Sequence, residues 1–129
     1  MLTIQLDSPV PIGDQIRLGL RRAIASGEVK PGDPLPTVRQ LAADLDVNLN
    51  TVARAYRELE ADGLVSTVRG RGTAVTSARE TSRQPEVKIR ERIILEVRNV
   101  LANARLAGMN RRQVETLFMN EAGLVWPRE

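Results

Sequence analysis

Two short amphipathic patterns follow each other closely in the middle of the chain, and their spacing constrains the fold more than any other feature. In the first, Thr37 can cap a helix of about two turns. Its apolar residues share one face: Val38, Leu41, Ala42 and Leu45. Asp46 and Val47 then interrupt the pattern, and Asn48 can cap a second helix that runs to Gly63. Two helices joined by so short a turn are typical of a helix-turn-helix motif.

The second helix of this pair has an apolar side and a polar side. At about 100° per residue, the apolar side is formed by Val52, Ala55, Tyr56 and Leu59. The opposite side carries Asn50, Arg54 and Arg57, with Thr51 and Ala53 on the flanks. Asparagine can pair bidentately with adenine and arginine with guanine, so such a face can read DNA. It can equally be a solvated surface, on which Arg54 pairs with Glu58 and Arg57 pairs in the same way with Glu60.

A further helix precedes the pair and a β-hairpin follows it. Pro11 can open the first helix, which ends at Gly27. Its apolar face comprises Ile12, Ile16, Leu20, Ala23 and Ile24. After the pair, residues 64–68 and 73–76 are β-branched stretches joined by Arg69-Gly70-Arg71-Gly72, whose glycines suit a hairpin turn. The sequence therefore predicts a winged helix-turn-helix domain over residues 1–76.

The remaining residues predict a linker and two more helices. Residues 77–84 are polar and aperiodic, and helical patterning resumes at Pro85 in a helix of about 23 residues that ends at Gly108. Its near-heptad apolar stripe comprises Ile89, Ile93, Val97, Val100, Leu101 and Ala104. Asn110 with Gln113 resembles a capping box for a last helix over residues 110–122, which ends before Gly123. That helix presents Val114, Leu117 and Phe118, and Leu124 and Trp126 follow it.

The two tail helices, in residues 85–129, cannot bury both apolar stripes in water on their own. The tail either folds back on the first domain or pairs with a second copy of itself, and we favour self-pairing. The residues expected at the homodimer interface are Ile93, Val97, Val100, Leu101, Ala104, Leu117 and Phe118. The predicted fold class is mainly α with a small β-hairpin, a winged helix-turn-helix followed by a two-helix dimerisation tail.

The composition excludes most catalytic chemistry. The chain has no histidine and no cysteine, so imidazole bases, thiolate nucleophiles and the usual zinc ligands are missing. No pair of carboxylates has recognisable metal-ligand spacing. We therefore expect neither an enzyme nor a bound cofactor or metal. The first residues lack the basic start and apolar stretch of a signal peptide, so we expect a cytoplasmic protein without membrane contact.

The formal net charge of +3 is a weak indication of nucleic-acid binding. Residues 1–76 contain nine Lys or Arg and nine Asp or Glu, so the surplus of positive charge lies in residues 77–129. If the first domain binds DNA, it must do so through locally clustered arginines.

Ordered motif elements run through residues 9–76 almost without a gap. They are Pro11-Ile12, Ser26-Gly27-Glu28-Val29-Lys30-Pro31-Gly32-Asp33, Leu35-Pro36-Thr37-Val38-Arg39-Gln40-Leu41-Ala42, Asn50-Thr51-Val52, Ala55-Tyr56, Leu59-Glu60, Asp62-Gly63-Leu64 and Arg69-Gly70-Arg71-Gly72-Thr73. Together they closely resemble the GntR family. The short tail looks like that of the YtrA subfamily, whose members dimerise through such a segment and lack a large effector-binding domain. The resemblance implies a sequence-specific DNA-binding transcription regulator, typically a repressor.

The resemblance also assigns residues to the binding of double-stranded DNA. The motif arginine that contacts DNA from the second helix is Arg39. The start of the recognition helix corresponds to Asn48, Leu49, Asn50, Thr51 and Ala53, with Arg54 adjoining. The wing-tip residues that enter the minor groove correspond to Arg69, Gly70 and Arg71. Two-fold pairing of the tails would further imply an inverted-repeat operator. Any small-molecule effector is left open.

Three positions depart from the pattern of the family. Other branches often have arginines where this chain has Leu49 and Ala53, which implies a different base preference. The run Asn48-Leu49-Asn50-Thr51 is closer to the Asn-Pro-Asn-Thr of the YtrA-like branch. Asp46 stands where the family usually has glycine, and because aspartate tolerates the left-handed conformation, we expect a strained but intact turn.

The competing interpretation of the whole chain is a winged-helix protein-interaction module without its own DNA target.

Overall fold

The computed structural model describes residues 2–68, 72–76 and 86–127. Their helices and strands are α1 (Ile12–Ser26), α2 (Val38–Leu45), α3 (Leu49–Ala61), β1 (Val65–Val68), β2 (Gly72–Val75), α4 (Glu86–Leu106) and α5 (Arg111–Val125). The chain divides into two compact units between residues 82 and 83. This architecture confirms the predicted fold class of a mainly α winged helix with one hairpin. The predicted linker lies outside the described residues, and the proposed domain boundaries stay a prediction.

The core of the first unit is built around α1 and α3. Ile16 and Leu20 of α1 and Val52 and Leu59 of α3 are completely buried. The rest of the buried cluster comprises Leu35, Leu41, Ala42, Ala55, Tyr56, Val65 and Val75. Burial of one such aliphatic side chain stabilises the fold by about 1.5–3 kcal/mol. The apolar faces predicted for the first three helices are therefore the faces that form the core.

Local structure sets both ends of α2. Thr37 Oγ1 accepts a hydrogen bond from Gln40 N–H at 3.0 Å, and Gln40 Oε1 accepts one from Thr37 N–H at 2.9 Å. This capping box starts α2 where the sequence predicts it. The helix ends at Asp46, whose φ of +55° lies in the left-handed region. The expected strained but intact turn is confirmed.

β1 and β2 form the antiparallel hairpin of the wing. The paired residues are Val65 with Val75, Ser66 with Ala74, Thr67 with Thr73 and Val68 with Gly72. Gly72 has the positive φ, +79°, that the predicted turn requires. Leu64 was expected in the first strand, but its N–H donates to Leu59 O at 3.0 Å and completes the end of α3.

The connector between α1 and α2, residues 27–37, is hydrogen-bonded to the hairpin. Leu35 N–H donates to Thr73 O at 2.8 Å, and Gly32 N–H donates to Val75 O at the same distance. These bonds satisfy backbone groups of β2 that would otherwise form an open sheet edge. They also connect the wing to the segment that leads into α2.

The second unit consists of α4 and α5. Gly108, with a φ of +92°, follows α4, and Asn110 Oδ1 accepts a hydrogen bond from Gln113 N–H at 2.9 Å to cap α5, both as predicted. The expected end before Gly123 is wrong, because α5 continues to Val125. A glycine inside a helix costs only about 1 kcal/mol, whereas Pro127 disfavours the helical conformation of the residue before it. No helix of the described residues is long and apolar enough to cross a membrane.

Tyr56 joins α3 to the connector. The residue is 5% exposed, and its hydroxyl donates a hydrogen bond to Pro36 O at 2.6 Å. Because burial disfavours the charged phenolate, the pKa of Tyr56 is raised to about 12.

Tyr56 is the only tyrosine of the chain, so its titration can be followed by the ultraviolet absorbance of the phenolate. We expect a midpoint pKa near 12 in the folded chain instead of the ordinary 10. Since the folded-state pKa is the higher one, this group stabilises the fold below pH 10 and loses that contribution as the pH rises to 12. The free energy of unfolding of Tyr56→Phe should be about 1 kcal/mol lower than that of the wild type at neutral pH, because the hydrogen bond to Pro36 O is lost. That difference should shrink above pH 10, and a constant difference would contradict the assignment.

Candidate nucleic-acid interface

The outward side of α3 is polar and accessible. Asn50, Arg54 and Arg57 are exposed, whereas the opposite side of the helix is buried by Val52, Ala55, Tyr56 and Leu59. Thr51 and Ala53 are intermediate in exposure, as expected for the flanks. The division of α3 predicted from its periodicity is therefore confirmed. It leaves a row of amide and guanidinium groups that no core residue covers.

The start of α3 is shaped by Asn48. Its Oδ1 accepts a hydrogen bond from Asn50 N–H at 2.7 Å, which satisfies a donor of the first turn. Leu49 follows with 43% of its side chain exposed, so the first turn presents an apolar group beside the amides. Thr51 lies against the start of α1, where its Cγ2 is 3.5 Å from the position that a Cβ on Gly13 would occupy. The beginnings of α1 and α3 are thus close neighbours.

Arg54 takes part in a chain of ion pairs that reaches α1. Arg54 Nε lies 3.3 Å from Glu58 Oε1, which confirms the pair expected from the sequence. Glu58 Oε2 also lies 3.1 Å from Arg17 Nε on α1, a contact between helices that was not predicted from the sequence. The Arg54 side chain remains 78% exposed. One carboxylate therefore holds two guanidinium groups from two helices.

Arg57 and Glu60 do not form the ion pair that the sequence suggests for a solvated surface, so that prediction is wrong. Glu60 Oε2 accepts a hydrogen bond from Thr67 Oγ1 at 3.1 Å, so the wing strand competes successfully for this carboxylate. Arg57 is exposed and forms no ion pair with the rest of the described residues. Its guanidinium is therefore available to an external anion.

Arg39 lies on α2 and is exposed. The surface ion pair considered for it is not formed with any of residues 2–68, 72–76 or 86–127. The three predicted wing-tip residues, Arg69, Gly70 and Arg71, lie outside the described residues. Their part in an interface stays a prediction, although β1 and β2 on either side of them are in place.

The exposed surface of the first unit carries polar groups suited to recognition. Within the described residues, no group of carboxylates is arranged to hold a metal ion, and no buried side-chain nitrogen or oxygen lacks a hydrogen bond. What the surface presents is an exposed asparagine, exposed arginines and the accessible start of a helix. These groups suit hydrogen bonding to phosphates and to the edges of bases.

Comparison with known sequences places these features in a family. Residues 12–75 match the model for bacterial regulatory proteins of the gntR family. The HTH-type transcriptional repressor YtrA of Bacillus subtilis (strain 168) is 43% identical over 82 residues, which are 64% of this chain and 63% of the relative. The matched part therefore spans less than two thirds of this relative.

Solved structures agree in fold as well as sequence. YtrA from Sulfolobus acidocaldarius, a GntR-family transcription factor, superposes with a TM-score of 0.59 at 36% identity and covers 74% of this chain and 95% of its own. A transcriptional antiterminator from Listeria monocytogenes EGD-e reaches a TM-score of 0.80 at 26% identity, covering 97% and 92%. AraR(DBD) in complex with operator ORX1 reaches 0.53 at 26% identity, covering 58% and 96%. This chain belongs to the GntR family of bacterial regulatory proteins and is similar to its YtrA members.

Proposed function

We propose that this chain is a sequence-specific DNA-binding transcriptional regulator, a repressor that binds an inverted-repeat operator as a homodimer. The proposal depends on the amphipathic character of α3. One side of this helix packs on the core, and the other side exposes Asn50, Arg54 and Arg57. The similarity to a protein named as a repressor and to AraR(DBD) bound to an operator supports it.

α3 would read the DNA from the major groove. A helix of 13 residues is about 20 Å long and fits a groove about 12 Å wide. There, Asn50 can pair with adenine and Arg54 with guanine, each pair contributing about 1–3 kcal/mol of discrimination against other bases. The exposed Leu49 can contact a thymine methyl group, which an arginine at this position could not do in the same way.

Other residues would hold the protein on the phosphate backbone. Arg39 and Arg57 are exposed without an ion-pair partner in the described part of the chain, so neither must break an internal pair to bind phosphate. Thr51 and Asn48 stand at the start of α3, where hydroxyl and amide donors reach phosphates. Arg69 and Arg71, on either side of Gly70, would enter the minor groove. Such local contacts can bind DNA even though residues 1–76 carry no net charge.

The second unit would supply the dimer. Val114 is the only buried hydrophobic residue in the described part of α4 and α5. Of the seven expected interface residues, Ala104 is intermediate in exposure. The exposed fractions of the other six are 49% for Ile93, 37% for Val97, 46% for Val100, 42% for Leu101, 44% for Leu117 and 37% for Phe118. One of these residues, Leu101, lines an open groove of about 650 Å³ together with Met109 and Val114. Pairing with the tail of a second copy would cover this apolar surface.

A two-fold dimer has a direct consequence for the operator. Two α3 helices related by a two-fold axis would meet major grooves about 34 Å apart, one turn of the DNA duplex. The two half-sites would then be inverted copies of each other. The named relatives of this chain are transcription regulators, so we propose no catalytic step for it.

The roles of Arg54 and Arg39 are separable by substitution. Arg54→Ala should abolish a base preference of about 1–3 kcal/mol at one position of each half-site. Arg39→Ala should weaken every duplex alike and lower the slope of log affinity against log salt by about one for each half-site. Fluorescence anisotropy with duplexes selected from a random pool measures both quantities.

Arg98→Ala is the matched control for these variants, because Arg98 lies on α4 outside the proposed DNA contacts. Binding isotherms of Arg54→Ala and Arg39→Ala that coincide with those of this control would contradict the assignment.

The proposed dimer interface can be tested with one pair of variants on α4. Val100→Glu places a charge in the apolar stripe and should convert the dimer to a monomer at micromolar concentration, with loss of tight operator binding. Leu95→Glu is the control, because Leu95 is 64% exposed and lies on the opposite side of the helix. Static light scattering distinguishes the two states. A wild-type monomer, or a dimer that both variants preserve, would refute this interface.

A further inference from the structure

Glu58 occupies an unusual position between the two principal helices of the first unit. Its two carboxylate oxygens have different partners, since Oε1 lies 3.3 Å from Arg54 Nε and Oε2 lies 3.1 Å from Arg17 Nε. Arg17 belongs to α1, and Arg54 belongs to the outward side of α3. The carboxylate therefore connects the core helix to a proposed base-reading side chain.

We propose that Glu58 is a positioning residue for DNA recognition, which holds the Arg54 guanidinium in the orientation that reads a base. The inference rests on the proposed function, because it has meaning only if α3 contacts DNA. Glu58 itself would not touch the DNA. It would act through Arg54, and Arg17 would act through Glu58.

The atoms involved make this role possible. Glu58 engages Arg54 through Nε, and no other hydrogen bond or ion pair within the described residues involves Arg54. The two terminal amino groups, Nη1 and Nη2, are therefore left to a ligand. A guanine offers two acceptors, O6 and N7, on its major-groove edge, and the planar fork of an arginine can meet both at once. The pair with Glu58 thus orients the side chain without consuming the donors that would read the base.

The anchoring of Glu58 decides whether such orientation is effective. A single exposed ion pair loses much of its benefit to side-chain entropy and solvent, whereas several charges in a network hold better. Here Arg17, with 27% of its side chain exposed, fixes Glu58 from α1, while Glu58 is 42% exposed. Arg54 itself is 78% exposed, so the pair contributes little to folding. The ion pair would instead affect DNA binding, because an arginine that is already ordered loses less conformational entropy when it binds.

The negative charge of Glu58 also favours a role in specificity. A carboxylate near the DNA repels phosphates and weakens binding that depends on charge alone. Only a duplex that gives Arg54 a good base partner would recover this loss. Glu58 would therefore raise the ratio of specific to non-specific affinity rather than the affinity for DNA in general.

A second ion pair between the same two helices provides an internal control. Arg21 Nη1 lies 3.1 Å from Asp62 Oδ2, with 52% and 44% of the two side chains exposed. Arg21 and Asp62 each lie four residues beyond Arg17 and Glu58, so they form a similar pair one turn away. This pair does not involve Arg54. Asp62→Asn therefore removes a comparable ion pair without disturbing the proposed reading side chain.

The experiment is a selection of duplexes from a random pool, carried out in parallel with the wild-type chain, Arg54→Ala, Glu58→Gln, Arg17→Met and Asp62→Asn. Arg54→Ala identifies the operator position that Arg54 reads, as the one whose preference disappears. Competition binding then measures the preference at that position for each variant. Thermal unfolding should place Glu58→Gln and Asp62→Asn within about 5 °C of each other, since exposed ion pairs contribute little to stability.

We expect Glu58→Gln to reduce the preference at the Arg54 position by about three- to tenfold, the effect of leaving one long side chain unordered before binding. Its affinity for non-specific duplex should be unchanged or higher. Arg17→Met should show the same change in weaker form, and Asp62→Asn none. In an Arg54→Ala background, Glu58→Gln should have no further effect on base preference.

Two results would overturn the inference while leaving the proposed function intact. One is a Glu58→Gln profile that matches those of the wild type and Asp62→Asn, which would make the pair a surface feature only. The other is a sharper preference at the Arg54 position in Glu58→Gln, which would mean that Glu58 withholds Arg54 from the base. A wild-type chain that retains no duplex would instead refute the proposed function, and the inference with it.

Discussion

The packing of α3 on α1 is the contact on which the rest of the first unit depends. Val52 and Leu59 of α3 and Ile16 and Leu20 of α1 have no exposed surface, so rotation of α3 about its axis would expose apolar groups and bury guanidinium groups. The cost of burying an unpaired charge is several kcal/mol, far more than any surface contact returns. The core therefore decides which side of α3 faces outward, and the capping turns and the hairpin brace that arrangement.

Local chemistry explains why so much of this fold could be predicted from the sequence. The capping box at Thr37, the cap at Asn48 and the left-handed Gly27 depend on residues within one helical turn, so their signals are visible in the sequence. Helical periodicity identified the buried side of α3 for the same reason. The sequence does not predict the end of α5 correctly, because the helix accommodates Gly123 at a small cost and ends only before Pro127.

Contacts between elements were harder to predict. The competition of Thr67 for Glu60, and the reach of Arg17 to Glu58, depend on how strand and helix faces meet in space. A signal for the second existed, since two arginines and two carboxylates are each spaced four residues apart on α1 and α3. The proposed contacts of Arg69, Gly70 and Arg71 with DNA stay a prediction, because helical periodicity does not address them and they lie outside the described residues.

Contact between α3 and the base edges of the major groove can be measured by methylation of guanine N7. The N7 atom faces the major groove, so a side chain bound there shields it from a methylating reagent. On a duplex retained by the wild type, we expect shielded guanines in two inverted half-sites about 34 Å apart. Arg54→Ala should remove the shielding of one guanine in each. Tight binding with every guanine N7 still open to methylation would contradict contact of α3 with the major groove.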